Sequence, residues 1–237
     1  MAQTIVIGDV HGCRVELDAL LQKLGPGSDD ALVFVGDLVA RGPDSRGVLR
    51  LVRELNARVV LGNHEERLLK ARSAYRDRTP PPKMGKTHQA VFEELDEEDW
   101  AMLEAMPLWL ELPEAGLRIV HAGVVPGLPM DEQDPWVLTH VRSLAEDGTP
   151  SAKWGAPWGK RYVGPPHVVF GHNARKNPQL HPDATGLDTA CVYGGALTAL
   201  VLPRGATVPA PAERRDVLVS VPARDVYHDY GQPLPTD

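Results

Sequence analysis

Five short blocks of this chain carry side chains suited to one kind of chemistry. Asp9 and His11 stand in Gly8-Asp9-Val10-His11-Gly12, Asp37 follows Gly36, Asn63 and His64 sit in Gly62-Asn63-His64-Glu65, His121 precedes Ala122-Gly123, and His172 follows Gly171. One Asp or His beside a glycine is ordinary turn chemistry. Five blocks that avoid Ser and Pro, which turns use as freely, are not. Two carboxylates, an amide oxygen and several imidazoles, with no thiolate among them, suit divalent Mn, Fe, Co or Zn. Asp9 and His11 are two apart at the end of an apolar run, so both can face one cavity and hold one ion. Asp37 can bridge to a second ion, whose site Asn63, His121 and His172 complete. Ions paired in this way lie roughly 3.5–4 Å apart and bring a water's pKa down toward ~7. The chemistry is metal-assisted hydrolysis, most naturally of a phosphate ester or anhydride.

The elements that must position these residues follow from periodicity. Apolar runs at 4–7, 31–35 and 58–61 each precede a stretch of helical spacing: Leu17, Leu20, Leu21 and Leu24, then Val48, Leu51, Val52 and Leu55, then Glu65 to Arg72. Alternating runs and amphipathic stretches predict βαβ units, and unalternated runs predict a sheet covered on both faces. Every block then falls at a strand's carboxyl end, the edge where open α/β sheets bind ligands. The segment from Arg76 to Lys86, with Pro80, Pro81 and Pro82, reads as a loop or lid whose Arg76, Arg78, Lys83 and Lys86 could reach over an anionic chain. Two short helices are expected over 88–95 and 99–106, so that about 73–112 forms a helical cap. The six acids between Glu93 and Asp99 read as a solvated helix end. Strands resume at 117–120, 167–170, 198–202 and 217–221, which predicts a second, more antiparallel sheet. The last dozen residues read as a loose tail within a single domain spanning 1–237.

Composition narrows the class. With 32 acids against 25 Lys and Arg, the net charge of −7 leaves no basic field for a stable nucleic-acid partner or a membrane surface. Apolar residues at 43% allow a substantial core, and 22 glycines with 22 prolines imply short elements joined by tight turns, not a helical bundle. Cys13 and Cys191 cannot build a disulfide framework, and a reducing cytoplasm is the expected setting. No apolar run approaches the roughly 20 residues a membrane helix needs. Phosphate-loop, dinucleotide and Gly-x-Ser-x-Gly signatures are all absent from the sequence.

Taken in order, the five blocks resemble the signature blocks of calcineurin-like metallophosphoesterases, over residues 4 to 202 or so. The Asp-x-His-Gly form of the first block and Arg41 in the second resemble the phosphoprotein-phosphatase branch. The resemblance implies an α/β fold, a metallophosphoesterase-type β-sandwich of two mixed sheets flanked by helices, with two divalent ions, manganese foremost, at one edge. It also implies that Asp9, His11 and Asp37 hold one ion, that Asp37, Asn63, His121 and His172 hold the other, that Arg41 clamps the substrate phosphate, and that His64 protonates the leaving group. Protein Ser/Thr phosphatases carry Asp before that Arg, paired with the catalytic His; here the position is Ala40. Glu65 and Asp44 are the carboxylates nearby in sequence that could orient His64 instead. The form Gly36-Asp-Leu-Val-Ala-Arg-Gly-Pro43 is similar to diadenosine tetraphosphatases of the ApaH type and to ApaH-like phosphatases. So are Gly171-His-Asn-Ala174 and the stretch from Gly186 to Gly195. His140-Val-Arg-Ser-Leu144, ahead of Trp154, makes Arg142 a second phosphate contact by the same resemblance, while Asp188 and Tyr193 could line the site. The implied substrates are phosphoanhydrides: dinucleoside polyphosphates, polyphosphate or capped RNA ends. A Ser/Thr phosphatase acting on a phosphoprotein is the alternative. His88, His140, His167, His181 and His228 read as surface or packing residues.

Overall fold

The computed structural model describes residues 2–236. Its first part runs β1 (Gln3–Ile7), α1 (Arg14–Leu24), β2 (Ala31–Phe34), α2 (Ser45–Glu54), β3 (Arg58–Val59) and α3 (Asn63–Asp77). Helices α4 (Lys86–Glu94) and α5 (Glu97–Glu104) come next, then β4 (Trp109–Leu112), β5 (Leu117–Val120) and α6 (Pro135–His140). The remaining strands are β6 (Ser143–Leu144), β7 (Pro150–Ser151), β8 (His167–Phe170), β9 (Gln179–Leu180), β10 (Ala184–Gly186), β11 (Ala196–Pro203) and β12 (Leu218–Pro222).

Two five-stranded mixed sheets result, ordered β12-β11-β1-β2-β3 and β4-β5-β8-β10-β9. In the first, β1, β2 and β3 are parallel and β11 returns antiparallel beside β1. In the second, β5, β8 and β10 are parallel, with antiparallel β4 and β9 at the edges. The strict side-chain alternation of a strand explains the layers. Ile5, Ile7 and Phe34 face Leu17, Leu20, Val48, Leu49 and Leu68 of the helices. Val6, Val33 and Leu200 face the second sheet through Leu117, Ile119 and Val169. Strands buried on both faces have no polar face to show, hence the unbroken apolar runs.

The late strands divide differently from expectation. Those near 198–202 and 217–221 join the first sheet, where β11 pairs along the whole of β1, from Gln3 opposite Pro203 to Ile7 opposite Ala199. The second sheet is therefore no more antiparallel than the first. The acidic stretch before α5 is also only partly solvated. Asp96 and Asp99 form a reciprocal capping box, yet the Asp99 side chain is fully buried and takes hydrogen bonds from Arg46 and Arg53 of α2. Residues 109–112, placed in the helical segment by the sequence, form β4. Toward the end of the chain, Tyr227 donates to Glu16 and Lys176 donates its backbone N–H to Pro235.

Candidate metal centre

The parallel strands of both sheets bring their carboxyl ends to one place. Beyond β1 lie Asp9 and His11, beyond β2 Asp37, beyond β3 the start of α3 with Asn63 and His64, beyond β5 His121, and beyond β8 His172. All except Asn63 are buried, from fully for His121 to 8% exposed for His172. Five of the eight non-glycine residues with positive φ among the described residues belong to these strand ends: His11, Asp37, Ala40, Arg41 and His172. The chain turns abruptly there, and at Gly171 it runs so close to Asp9 that a Cβ would collide with the carboxylate.

Asp37 is the hub. Its Oδ2 lies 3.5 Å from His11 Nε2 and 3.4 Å from His121 Nε2, while Oδ1 accepts the backbone N–H of His64 at 3.0 Å. Each imidazole is fixed by a hydrogen bond on its far side. His11 Nδ1 donates to Val39 O at 3.1 Å and His121 Nδ1 to Val35 O at 2.8 Å, which leaves both Nε2 atoms inward. His172 is set the other way, Nε2 donating to His140 O at 3.1 Å, with Nδ1 2.8 Å from Asn63 Oδ1. That amide oxygen is also 3.1 Å from His121 Nε2. Asp9 takes the His172 backbone N–H on Oδ2 at 2.9 Å, and its buried Oδ1 has no hydrogen-bond partner among the described residues.

The electrostatics of the site suit a cation. Burial, with Asp188 and Asp37 nearby, raises the Asp9 carboxyl well above the usual range, and burial likewise brings Asp188 to about 6. Burial opposes ionisation of Asp37, but His121, His64 and His11 outweigh it and hold this carboxyl low. His121 is driven up to about 9 by Asp37 against its own burial, so its inward nitrogen offers a lone pair to a cation once that proton is released. His11 falls to about 3 through burial and Arg41, and His172 falls through burial and Arg142, which leaves both as neutral donors. An all N and O donor set, inward lone pairs and an orphaned carboxylate oxygen fit divalent cations. His11, Asp37 and His64 form one tight group and Asp37, His121 and His172 another, with Asp37 common to both.

Around this hub stand the residues expected to meet phosphate. Arg41 Nη1 is 3.0 Å from His11 Nε2, and its guanidinium lies over the Tyr193 ring at 5.3 Å. Arg142 donates to His172 O and Asn173 Oδ1 at 3.2 and 3.1 Å and packs over Trp154. Asp188 caps its own loop, accepting from Ala190 N at 3.0 Å.

Neither carboxylate named for His64 serves it. Glu65 is fully buried and accepts the backbone N–H groups of Asp37, Leu38 and Val39, so it builds the second block instead. Asp44 caps α2 by accepting from Gly47 N. The buried Nδ1 of His64 has no hydrogen-bond partner among the described residues. What touches the ring is His88 of α4, stacked on it at 4.7 Å, together with His11 edge-on. His88 was assigned to surface or packing by its sequence, and no motif spacing links it to His64, because the contact depends on how α4 folds back over α3.

A family model described as calcineurin-like phosphoesterase matches residues 2–201. The bis(5'-nucleosyl)-tetraphosphatase PrpE [asymmetrical] of Halalkalibacterium halodurans is 36% identical, over 91% of this chain and 95% of its own. The PrpE of Geobacillus thermodenitrificans is 34% identical over 87% and 93%. A crystal structure of a protein provisionally assigned as a diadenosine tetraphosphatase superposes with TM-score 0.79 at 34% identity, covering 94% of each chain. A Saccharomyces cerevisiae protein serine/threonine phosphatase shares the fold at TM-score 0.61 and 16% identity, over 97% of this chain and 82% of its own. Metal-ready strand ends on a two-sheet frame and a family match across most of the sequence agree: this chain belongs to the calcineurin-like phosphoesterases.

Proposed function

We propose that this protein hydrolyses phosphoanhydrides, acting on dinucleoside polyphosphates such as diadenosine tetraphosphate and cutting them asymmetrically into a nucleoside triphosphate and a monophosphate. The observation that carries the reading is Asp37 shared between two groups of inward-facing imidazoles, on a chain whose 34–36% identical relatives are named for this activity. Asp9, His11 and Asp37 would hold one divalent ion, and Asp37, Asn63, His121 and His172 would hold the other; manganese is the first choice, with iron, cobalt or zinc suited to the same donors. When bound, the ions supply a hydroxide nucleophile at neutral pH by lowering the pKa of a water.

The chain's own residues do the rest. Arg41, steadied by Tyr193, and Arg142, steadied by Trp154, present guanidinium forks to phosphate oxygens. His64, whose pKa burial holds well below its ordinary value, is the proton donor assigned to the leaving group, and α4 contributes His88, stacked on its ring. A phosphate expelled from an anhydride is a far better leaving group than the alkoxide of a serine, so it asks less of a proton donor. A His64 without a carboxylate partner suits an anhydride better than a phosphoprotein. No helix of the described residues is long and apolar enough to cross a membrane, and both cysteines are free thiols, which supports a cytoplasmic setting.

Incubation with manganese and diadenosine tetraphosphate, with products resolved by ion exchange, tests this. ATP plus AMP is the expected outcome. ADP alone would keep the hydrolase and overturn the asymmetric register. No cleavage, with phosphopeptides turned over readily, would replace the reading with a protein phosphatase.

A further inference from the structure

Behind the first block lies a second group of donors that the hydrolytic centre does not use. A carboxylate oxygen of Glu16 and the sulfurs of Cys13 and Cys191 all lie within 4.8 Å of one another. The three residues are 1%, 0% and 2% exposed, and both thiols are free. We propose that Cys13, Glu16 and Cys191 form a third cation site, separate from the hydrolytic pair and selective for a thiophilic divalent ion of the zinc class.

The carboxylate gives the strongest argument. Glu16 Oε1 is held by the Arg224 backbone N–H at 2.9 Å and the Tyr227 hydroxyl at 2.8 Å, while buried Oε2 has no hydrogen-bond partner among the described residues. An unpaired buried carboxylate oxygen is costly. A disulfide between the two cysteines would leave that oxygen as it is, whereas a cation would satisfy all three donors. A tetrahedral ion with bonds of about 2.3 Å to sulfur and about 2.1 Å to oxygen needs donors roughly 3.5–3.8 Å apart, so side-chain rotations closing about 1 Å suffice. Two thiolates and a carboxylate favour a borderline ion over the harder manganese, and the positive end of the 11-residue α1 offsets part of the remaining charge. Held this way, the ion ties together the start of α1, the loop carrying Asp188 and Tyr193, and the segment 224–227.

The test is a cadmium titration of the manganese-loaded enzyme under reducing conditions, read by ultraviolet thiolate-to-cadmium charge transfer. The hydrolytic centre offers only N and O donors and gives no such band. One equivalent should saturate the signal, with affinity at least about tenfold weaker in Cys191→Ser and Glu16→Gln and about tenfold weaker in Tyr227→Phe, which holds the carboxylate. No band in the wild type, or the same band in Cys191→Ser, overturns the site. A chain purified without reductant whose mass is lower by two hydrogens also overturns it, in favour of a disulfide. Should the variants fail to fold, alkylation of the wild type in mild denaturant decides: zinc should protect both thiols, and equal labelling with and without zinc rejects the proposal.

Discussion

The imidazole of His88 lies flat against that of His64, their planes 19° from parallel and their centroids 4.7 Å apart. With no hydrogen bond on Nδ1 of His64 among the described residues, this stack and the edge of His11 fix its plane. An aromatic pair of this kind is worth about 0.5–1.5 kcal/mol. His88→Ala should therefore lower kcat on dinucleoside polyphosphate roughly 2- to 12-fold with KM little changed, and His88→Phe should restore most of it. Steady-state kinetics on the three proteins check this; equal kcat in all of them would remove His88 from the reaction.

Ala40→Asp supplies the carboxylate that the protein phosphatases carry at this position. Asp tolerates the left-handed backbone that Ala40 adopts, at φ 66°. The expected result is a shift in preference, with kcat/KM for a phosphopeptide relative to diadenosine tetraphosphate rising at least about tenfold, within the usual range for general acid catalysis. Ala40→Asn is the control, since it adds bulk without charge. An unchanged ratio would mean that proton donation by His64 does not set substrate class.

Glu65 holds the second block in shape by accepting three buried N–H groups. Leaving a buried donor unpaired costs about 1–3 kcal/mol, so Glu65→Ala should cost at least about 3 kcal/mol and lower Tm by roughly 6–12 °C. Manganese affinity should fall with it, because Asp37 is one of those three donors. Calorimetry distinguishes this from a direct catalytic role, which would leave Tm where it was.

Loading of the centre should depend on pH in one direction. A cation needs His121 deprotonated and Asp9 ionised, and both are raised, His121 to about 9 by Asp37 against its own burial and Asp9 by burial. Protons therefore compete at higher pH than for an ordinary His or Asp: affinity is complete above the raised His121 pKa and is lost as pH falls through it and then through that of Asp9. Manganese Kd should weaken by up to about tenfold per pH unit per displaced proton below pH ~9, with protons released on binding. Titration calorimetry in buffers of different ionisation enthalpy measures both, and a pH-independent Kd would contradict the assignment.

Most of the candidate centre was legible because each proposed ligand follows a short apolar run bounded by glycine, the pattern of a buried strand. Asp9, Asp37, His121 and His172 needed no tertiary information beyond that. The beginning and end of α3 were less clear, since its first residues are the polar Asn63 and His64 and its apolar stripe is short. The roles of Glu65 and His88 were hidden for a different reason. Glu65 bonds to backbone, which leaves no pattern in residue type, and His88 reaches His64 only through the packing of α4 on α3. Strands β11 and β12 were seen as strands but placed in the wrong sheet, because a sequence pattern shows that a strand is buried and not which neighbour it pairs with.

The left-handed strand ends have a consequence for how this enzyme meets heat. Ala40 and Arg41 each give up about 1–2 kcal/mol in that conformation, and His11, Asp37 and His172 less, so the five together take a sizeable share of the roughly 5–15 kcal/mol net stability of a typical domain. The rest of the molecule, above all the two-sheet core, must carry that load. Selection for thermal endurance alone would drive positions such as Ala40 toward glycine, relaxing the frame and loosening the loop on which Arg41 stands. Heat-hardened variants found by such a screen should be sluggish hydrolases, and variants hardened while turnover is kept should have changed the sheets instead.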